Sequence, residues 1–261
     1  GEGRRLEPIE AYDIVMYGAD AVISGGVRRS ATICLFSPND QEMAKAKTGS
    51  WFVENPQRGR SNNSAILLRE KTTKKQFSKL MQSVKEFGEP GFVWADSTEL
   101  IVNPCVEIGM WPVDEETGES GWQACNLSTI NCAKIKTEED FLDACKAASI
   151  IGTLQAGFSS FSYLGKISEN IVKREALLGV SMTGIMEQYE ICLDPKTQKD
   201  GAKVVKDENK RIAKIIGINQ AARTTCIKPE GTSSCVLGTS SGIHPHHAKR
   251  YIRRVQANKL E

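Results

Sequence analysis

The sequence predicts an α/β fold, and three observations carry that expectation. Short runs of β-branched and apolar residues, such as 31–36 (ATICLF), 61–68 (SNNSAILL) and 177–182 (LLGVSM), read as strands. Segments with an apolar helical period lie between them. No internal repeat or low-complexity tract breaks the alternation, and strands alternating with helices are the pattern of α/β architecture.

Taken in order, residues 9–23 place Ile9, Tyr12, Val15, Met16, Ala19 and Val22 at helical spacing, with Gly25-Gly26 as the stop. The strand at 31–36 is followed by Ser37-Pro38-Asn39-Asp40, a helix start with Pro38 in its first turn. After the strand at 61–68, residues 74–87 carry the stripe Phe77, Leu80, Met81, Val84 and Phe87 and stop at Gly88. Residues 91–95 (GFVWA) form a third strand, and 114–121 (DEETGESG) is turn-forming and charged. A long helix over 138–161 begins with acids, as a helix N-terminus favours, and is apolar enough to be buried on more than one side. Thr183, after the strand at 177–182, is a candidate cap for a helix around 185–189. Residues 203–216 form an amphipathic helix with a mostly basic solvated face, and 222–227 (ARTTCI) is a last strand leading into KPEGTSS.

Composition sets the outer bounds. The 261 residues are 40% hydrophobic and 25% charged, an ordinary globular balance. A net charge of +2 favours neither a nucleic-acid nor a membrane-surface partner. No apolar run approaches the roughly 18 residues needed to span a bilayer. The eight cysteines, at 34, 105, 125, 132, 145, 192, 226 and 235, contain no CxxC pair and follow no secretory signal. Reduced thiols in a cytoplasmic compartment are the expectation.

The chemistry concentrates in NPCVEI (103–108) and ACNLSTIN (124–131). In an extended segment residues two apart point the same way, so Asn103, Cys105 and Glu107 would share one patch. The turn-rich stretch at 114–121 would let Cys125 return to it. Free cysteine often packs as a small hydrophobe, so spacing alone leaves a core role open. KPEGTSS sets Thr232, Ser233 and Ser234 beside Gly231, where backbone N–H groups can approach an anion. It lacks the lysine of a Walker loop, and on pattern alone it is equally a simple turn. HPHH (244–247) lacks the ligand spacing of common zinc sites, so no metal is expected there. Whether Lys249, Arg250, Arg253 and Arg254 face phosphate, cofactor or water stays open.

Five blocks occur in order: SGGVRRSAT (24–32), NPCVEI, CNLSTIN, KPEGTSS (228–234) and SSGIHPHHAKRYIRRVQ (240–256). Together they resemble the catalytic chain of ribonucleotide reductases, and the last two resemble the adenosylcobalamin-dependent class II branch, particularly its triphosphate reductases. The resemblance implies part of a ten-stranded α/β barrel whose finger loop presents Cys105. It further implies that Cys105 is the thiyl site, Glu107 the general base, Asn103 a hydrogen-bonding partner of the substrate and Cys125 one half of the reducing pair. Pro229, Glu230, Gly231, Thr232, Ser233 and Ser234 would hold the substrate's phosphates. Ser24, Gly25, Gly26, Val27, Arg28 and Arg29 match the loop that tunes base specificity. The implied cofactor is adenosylcobalamin, and the implied partners are a ribonucleotide substrate, a nucleotide effector and a thioredoxin-like reductant.

Family chains are much longer, so residues 1–261 are expected to be the central portion of the catalytic barrel, without the upstream redox cysteine or the C-terminal tail. Such a fragment is expected to be inactive alone. Cys132, Cys145, Cys192, Cys226 and Cys235 are expected in the core. A diphosphate substrate or a class I radical source is the rival within the family. A cysteine-nucleophile hydrolase or transferase and a thiol-rich binding module are the rivals outside it.

Overall fold

The computed structural model describes residues 3–23, 30–99, 101–252 and 254. The chain divides into two units, Gly1–Gly109 with Arg254–Glu261, and Met110–Arg253.

In the first unit α1 (Pro8–Asp20) starts with proline inside its first turn, where no N–H is needed. It buries Tyr12 and Met16 and ends earlier than its apolar period suggests; Gly25 and Gly26 lie outside the described residues. After β1 (Thr32–Phe36), the helix expected from Ser37 is only the short α2 (Gln41–Ala44). Its cap is Asp40, whose carboxylate accepts the N–H groups of Glu42 at 3.1 Å and Met43 at 2.9 Å. Pro38 therefore lies in the approach turn, a correction explained by the better acceptor two residues on. The short α3 (Trp51–Glu54) and the 3-10 turn Pro56–Arg60 had no periodic signal. By contrast β2 (Ser61–Leu68), α4 (Lys74–Phe87) and β3 (Gly91–Ala95) form where expected. Thr73 and Gln76 cap α4 reciprocally, and Gly88 ends it at φ +75°.

The three strands form one parallel sheet in the order β1-β2-β3, with Thr32 opposite Ser61 and Ser64 opposite Gly91. Tyr12, Met16, Met43, Leu67 and Leu80 pack as its core. Beyond β3 the chain turns between β4 (Ile101–Val102) and the start of β5 (Gly109–Met110).

The second unit opens with the expected turn. Val113 bridges Ser120 antiparallel, and the Asp114 N–H donates to the Glu119 carbonyl at 2.9 Å. β6 (Cys125–Asn131) then leads to α5 (Glu138–Ala156), which is capped by Thr137 and ends before the expected Phe161. The unforeseen α6 (Gly165–Glu175) precedes β7 (Leu177–Thr183). β6 and β7 pair in parallel, with Cys125 opposite Leu177. Thr183 ends that strand rather than capping a helix; its hydroxyl donates to the Ser240 carbonyl and accepts the Gly242 N–H. A 3-10 turn (Ile185–Glu187) and α7 (Tyr189–Cys192) follow.

α8 (Pro195–Ile216) begins eight residues before its apolar period suggests, because Asp194 caps it and Pro195 fits its first turn. Ile130, Cys132, Phe141, Cys145, Val180 and Val205 form a core in this unit. The expected strand at 222–227 makes a single bridge, Thr225 to Val180. α9 (Ser233–Leu237) closes the described helices.

The α/β class is borne out. The ten-stranded barrel is not: among the described residues the strands form sheets of three, two and two. No described helix is long and apolar enough to cross a membrane.

Candidate active site

Cys105 sits in a tight turn, not in an extended segment. The Val106 N–H donates to the Asn103 carbonyl at 2.9 Å, making Asn103-Pro104-Cys105-Val106 a four-residue turn. Asparagine first and proline second are favoured in such turns, so the signal was present in NPCV and outweighed the period-two reading. The side-chain oxygen of Asn103 accepts the Ile108 N–H at 3.0 Å, and the Asn103 N–H donates to the Ile108 carbonyl at 3.3 Å. Val106 is driven to φ +66°, an uncommon conformation for a β-branched residue.

The turn exposes Cys105 and leaves Glu107 half-buried. Glu107 Oε2 is enclosed and has no hydrogen-bond partner. Cys105 lines a cleft of about 390 Å³ together with Thr32, Arg60, Ser61, Asn62 and Pro104. Asn103 and Glu107 are not in the lining of this cleft, and the segment is a turn, so alternation along an extended strand does not group the three side chains. The physical reason is the left-handed Val106, which breaks the two-residue alternation between Cys105 and Glu107.

The segment Ser61-Asn62-Asn63-Ser64, which the sequence offers as pocket lining without naming a contact, supplies Ser61 and Asn62 to the rim. Asn62 Nδ2 donates to the Pro104 carbonyl at 2.8 Å. Behind it, the buried Tyr12 hydroxyl lies 2.8 Å from Ser61 Oγ and donates to Asn63 Oδ1 at 3.1 Å. Burial pushes the Tyr12 hydroxyl's pKa upward. Lys47 Nζ donates to the Ser61 carbonyl and pairs with Glu89 at 2.9 Å. Only the pairing of a buried lysine with carboxylate and carbonyl marks this cluster, and no sequence spacing announces it.

In the second unit Cys125 is the first residue of β6 and half-buried. The KPEGTSS loop is internally tied. Glu230 has no exposed side-chain surface, accepts from the Thr129 and Ser233 hydroxyls and pairs with Lys228 at 3.2 Å. It stands at φ +55°. Ser234 is buried and Pro229 gives its carbonyl to the Ser241 hydroxyl at 2.8 Å, whereas Gly231 and Thr232 are exposed and Ser233 is half-exposed. The charge of Glu230 is thus used inside the protein, and the loop's outward groups are Gly231, Thr232 and Ser233.

Ser24, Gly25, Gly26, Val27, Arg28 and Arg29 lie outside the described residues. Among the described residues no His, Cys, Asp and Glu group could hold a metal ion. His246 instead pairs with Glu187 at 3.2 Å and contacts the Tyr251 hydroxyl at 2.9 Å. Cys132, Cys145 and Cys192 are buried core thiols as expected. Desolvation pushes the Cys145 thiol up to about 12, which makes it inert. Cys226 is half-buried and Cys235 is exposed on α9, which corrects the core expectation for Cys235.

A probable adenosylcobalamin-dependent ribonucleoside-triphosphate reductase of Dictyostelium discoideum is 28% identical over 275 residues, covering 98% of this chain and 35% of that protein. The chain resembles these reductases along nearly all of its length. An adenosylcobalamin-dependent ribonucleoside-triphosphate reductase of Lactobacillus leichmannii is 24% identical over 299 residues, covering 97% of this chain and 38% of that protein. The chain thus spans a little over a third of the length of the curated relatives it matches. No protein-family model matches.

Among solved structures, a B12-dependent class II ribonucleotide reductase superposes with a TM-score of 0.70 at 23% identity, over 93% of this chain and 37% of that one. The α subunit of the Actinobacillus ureae class Id ribonucleotide reductase gives 0.55 at 15% identity, over 82% and 48%. At these identities the shared property is the fold.

Proposed function

We propose that the chain is the central part of a ribonucleotide reductase catalytic barrel, acting on ribonucleoside triphosphates with adenosylcobalamin as the radical source. The observation that carries this reading is the presentation of Cys105, exposed at the third position of a stapled turn on the wall of a 390 Å³ cleft. Clefts of about 300–1,000 Å³ are the usual size for small ligands. In this reading Cys105, as a thiyl, takes the 3′-hydrogen of the ribose. Glu107, outside the cleft lining in this structure, would turn its carboxylate toward the 3′-hydroxyl to take that proton, giving its enclosed Oε2 the partner it lacks. The 2′ C–O bond then breaks and the hydroxyl leaves as water. Two thiols, Cys125 supplying one, give two electrons and two protons, one proton to the departing hydroxyl and one to C2′, and become a disulfide, while Cys105 returns the hydrogen to C3′ and Glu107 the proton to the 3′-oxygen.

Asn103 has its amide oxygen engaged by Ile108, so its Nδ2 donor is what it offers a substrate. The phosphates fall to Gly231, Thr232 and Ser233. Pro229, Glu230 and Ser234 shape that loop.

Adenosylcobalamin, when bound, supplies the initiating radical. The Cys105 cleft is of a scale to take a nucleoside, and its polar lining of Thr32, Arg60, Ser61 and Asn62 does not suit the apolar face of a corrin ring. These residues would present the thiol to the adenosyl group and would not hold the corrin. A thioredoxin-like reductant would re-reduce the thiol pair, and a nucleotide effector would act through the loop at Ser24 to Arg29.

The test is a product assay on the full-length protein containing this chain, with and without adenosylcobalamin. Cys105→Ser is expected to abolish deoxynucleotide formation while equilibrium dialysis still shows nucleotide binding. Persisting turnover in that variant would overturn the proposal.

A further inference from the structure

We infer that Asn62 is a positioning residue for Cys105, its side-chain amide tethering the Pro104 carbonyl while the buried Lys47 anchors the start of the strand from which Asn62 projects. The reactive-turn carbonyl belongs to the residue immediately before Cys105, and the tether is a 2.8 Å hydrogen bond from Asn62 Nδ2. Both residues line the same cleft as Cys105. A tether of this kind is useful only if its own base is rigid.

The base is held from both sides at Ser61, the residue before Asn62. Its carbonyl receives the Lys47 ammonium, and its hydroxyl joins Tyr12 and Asn63 in a buried triangle of contacts at 2.6, 2.8 and 3.1 Å. Lys47 is 7% exposed, which is expensive for an ammonium unless it is fully engaged. It is engaged by the Ser61 carbonyl, by Glu89 at 2.9 Å and by the Trp51 ring, whose centroid lies 5.6 Å away. Placing this much buried polarity on one strand residue fixes the first register pair of the sheet, Ser61 opposite Thr32. The neighbouring asparagine then fixes the turn. The tether is geometric and stands without the radical chemistry; its effect on turnover rests on the proposed function.

The experiment uses Asn62→Asp and Asn62→Ala in the full-length protein. Asn62→Asp is nearly isosteric but has no amide donor, and Asn62 is exposed, so folding is preserved. Two readouts are taken: steady-state kinetics, and the alkylation rate of Cys105 by iodoacetamide followed by peptide mapping. A misplaced reacting group can cost on the order of 10²-fold in rate, so kcat is expected to fall by about 10- to 100-fold with KM nearly unchanged. Cys105 alkylation is expected to accelerate several-fold as the turn loosens. Lys47→Met should shift both readouts in the same direction, with thermal denaturation recording any loss of folding.

Unchanged alkylation together with reduced kcat would overturn the inference, since Asn62 would then act on the substrate itself. Wild-type kcat in both Asn62 variants would overturn it as well. Accelerated alkylation together with persisting turnover in Cys105→Ser would uphold the tether and reject the proposed function instead.

Discussion

At the residue scale, the Cys105 turn spends conformational energy to aim one thiol. Val106 in the left-handed region costs roughly 1–2 kcal/mol, offset by three hydrogen bonds that close the turn around Asn103. Glu107 illustrates the opposite economy, with an enclosed oxygen that no protein group satisfies. If the proposed function holds, Glu107→Gln leaves thermal stability unchanged and lowers deoxynucleotide formation by about 10²- to 10⁴-fold, the usual range for a lost general base. Glu230 is the reverse case, a buried acid whose bonds are all internal. Glu230→Ala should destabilise the protein by about 3 kcal/mol in urea denaturation, because Lys228 and two hydroxyls lose their acceptor together. The sequence made NPC legible as a candidate site, but the period-two rule misassigned its shape. A proline after asparagine is a stronger local instruction than strand alternation.

At the scale of elements, legibility followed the range of the signal. α4 was readable from end to end because Thr73, Gln76 and Gly88 act within one turn of its termini. Thr73→Ala removes that cap and should cost about 1 kcal/mol, measurable as a lowered urea midpoint. α6 and the first eight residues of α8 were missed, the latter although Asp194-Pro195 is itself a start signal. The contact between α5 and α8 depends on Gly201. A Cβ there would lie 2.6 Å from Phe141 Cε1 and 3.0 Å from Cys145 Sγ. Gly201→Ala is expected to destabilise by about 1–3 kcal/mol despite alanine's better helix propensity, because both neighbours belong to a packed core.

For the whole molecule, ionisation sets the range of stability. Several carboxyls titrate below their ordinary range: Asp13 through its hydrogen bond from Arg58, Glu10 through Arg4 to about 2, and Asp140 and Asp194 through N–H groups at helix starts. A folded pKa below the unfolded one contributes stability above roughly pH 4, lost as pH falls through the folded value. Tyr12 and Cys145 are shifted upward by burial. Their contribution is complete below the unfolded pKa, about 8.5 for the thiol, and is lost as pH rises through the folded values. Chemical denaturation across pH should therefore show a plateau between about pH 5 and 8. Falling stability inside that window would contradict these assignments.

The sequence by itself determined the alternation of strands and helices and the ends of α4, β2 and β3, and it singled out Cys105 as the candidate thiol. Each is written in residues that lie next to one another or repeat along one face. Tertiary structure alone decided that Asn62 meets Pro104, that Lys47 and Tyr12 converge on Ser61, and that Glu230 turns inward to Thr129. Those contacts join residues from 14 to 101 positions apart. No local propensity encodes them, because they exist only once packing has removed water from both partners.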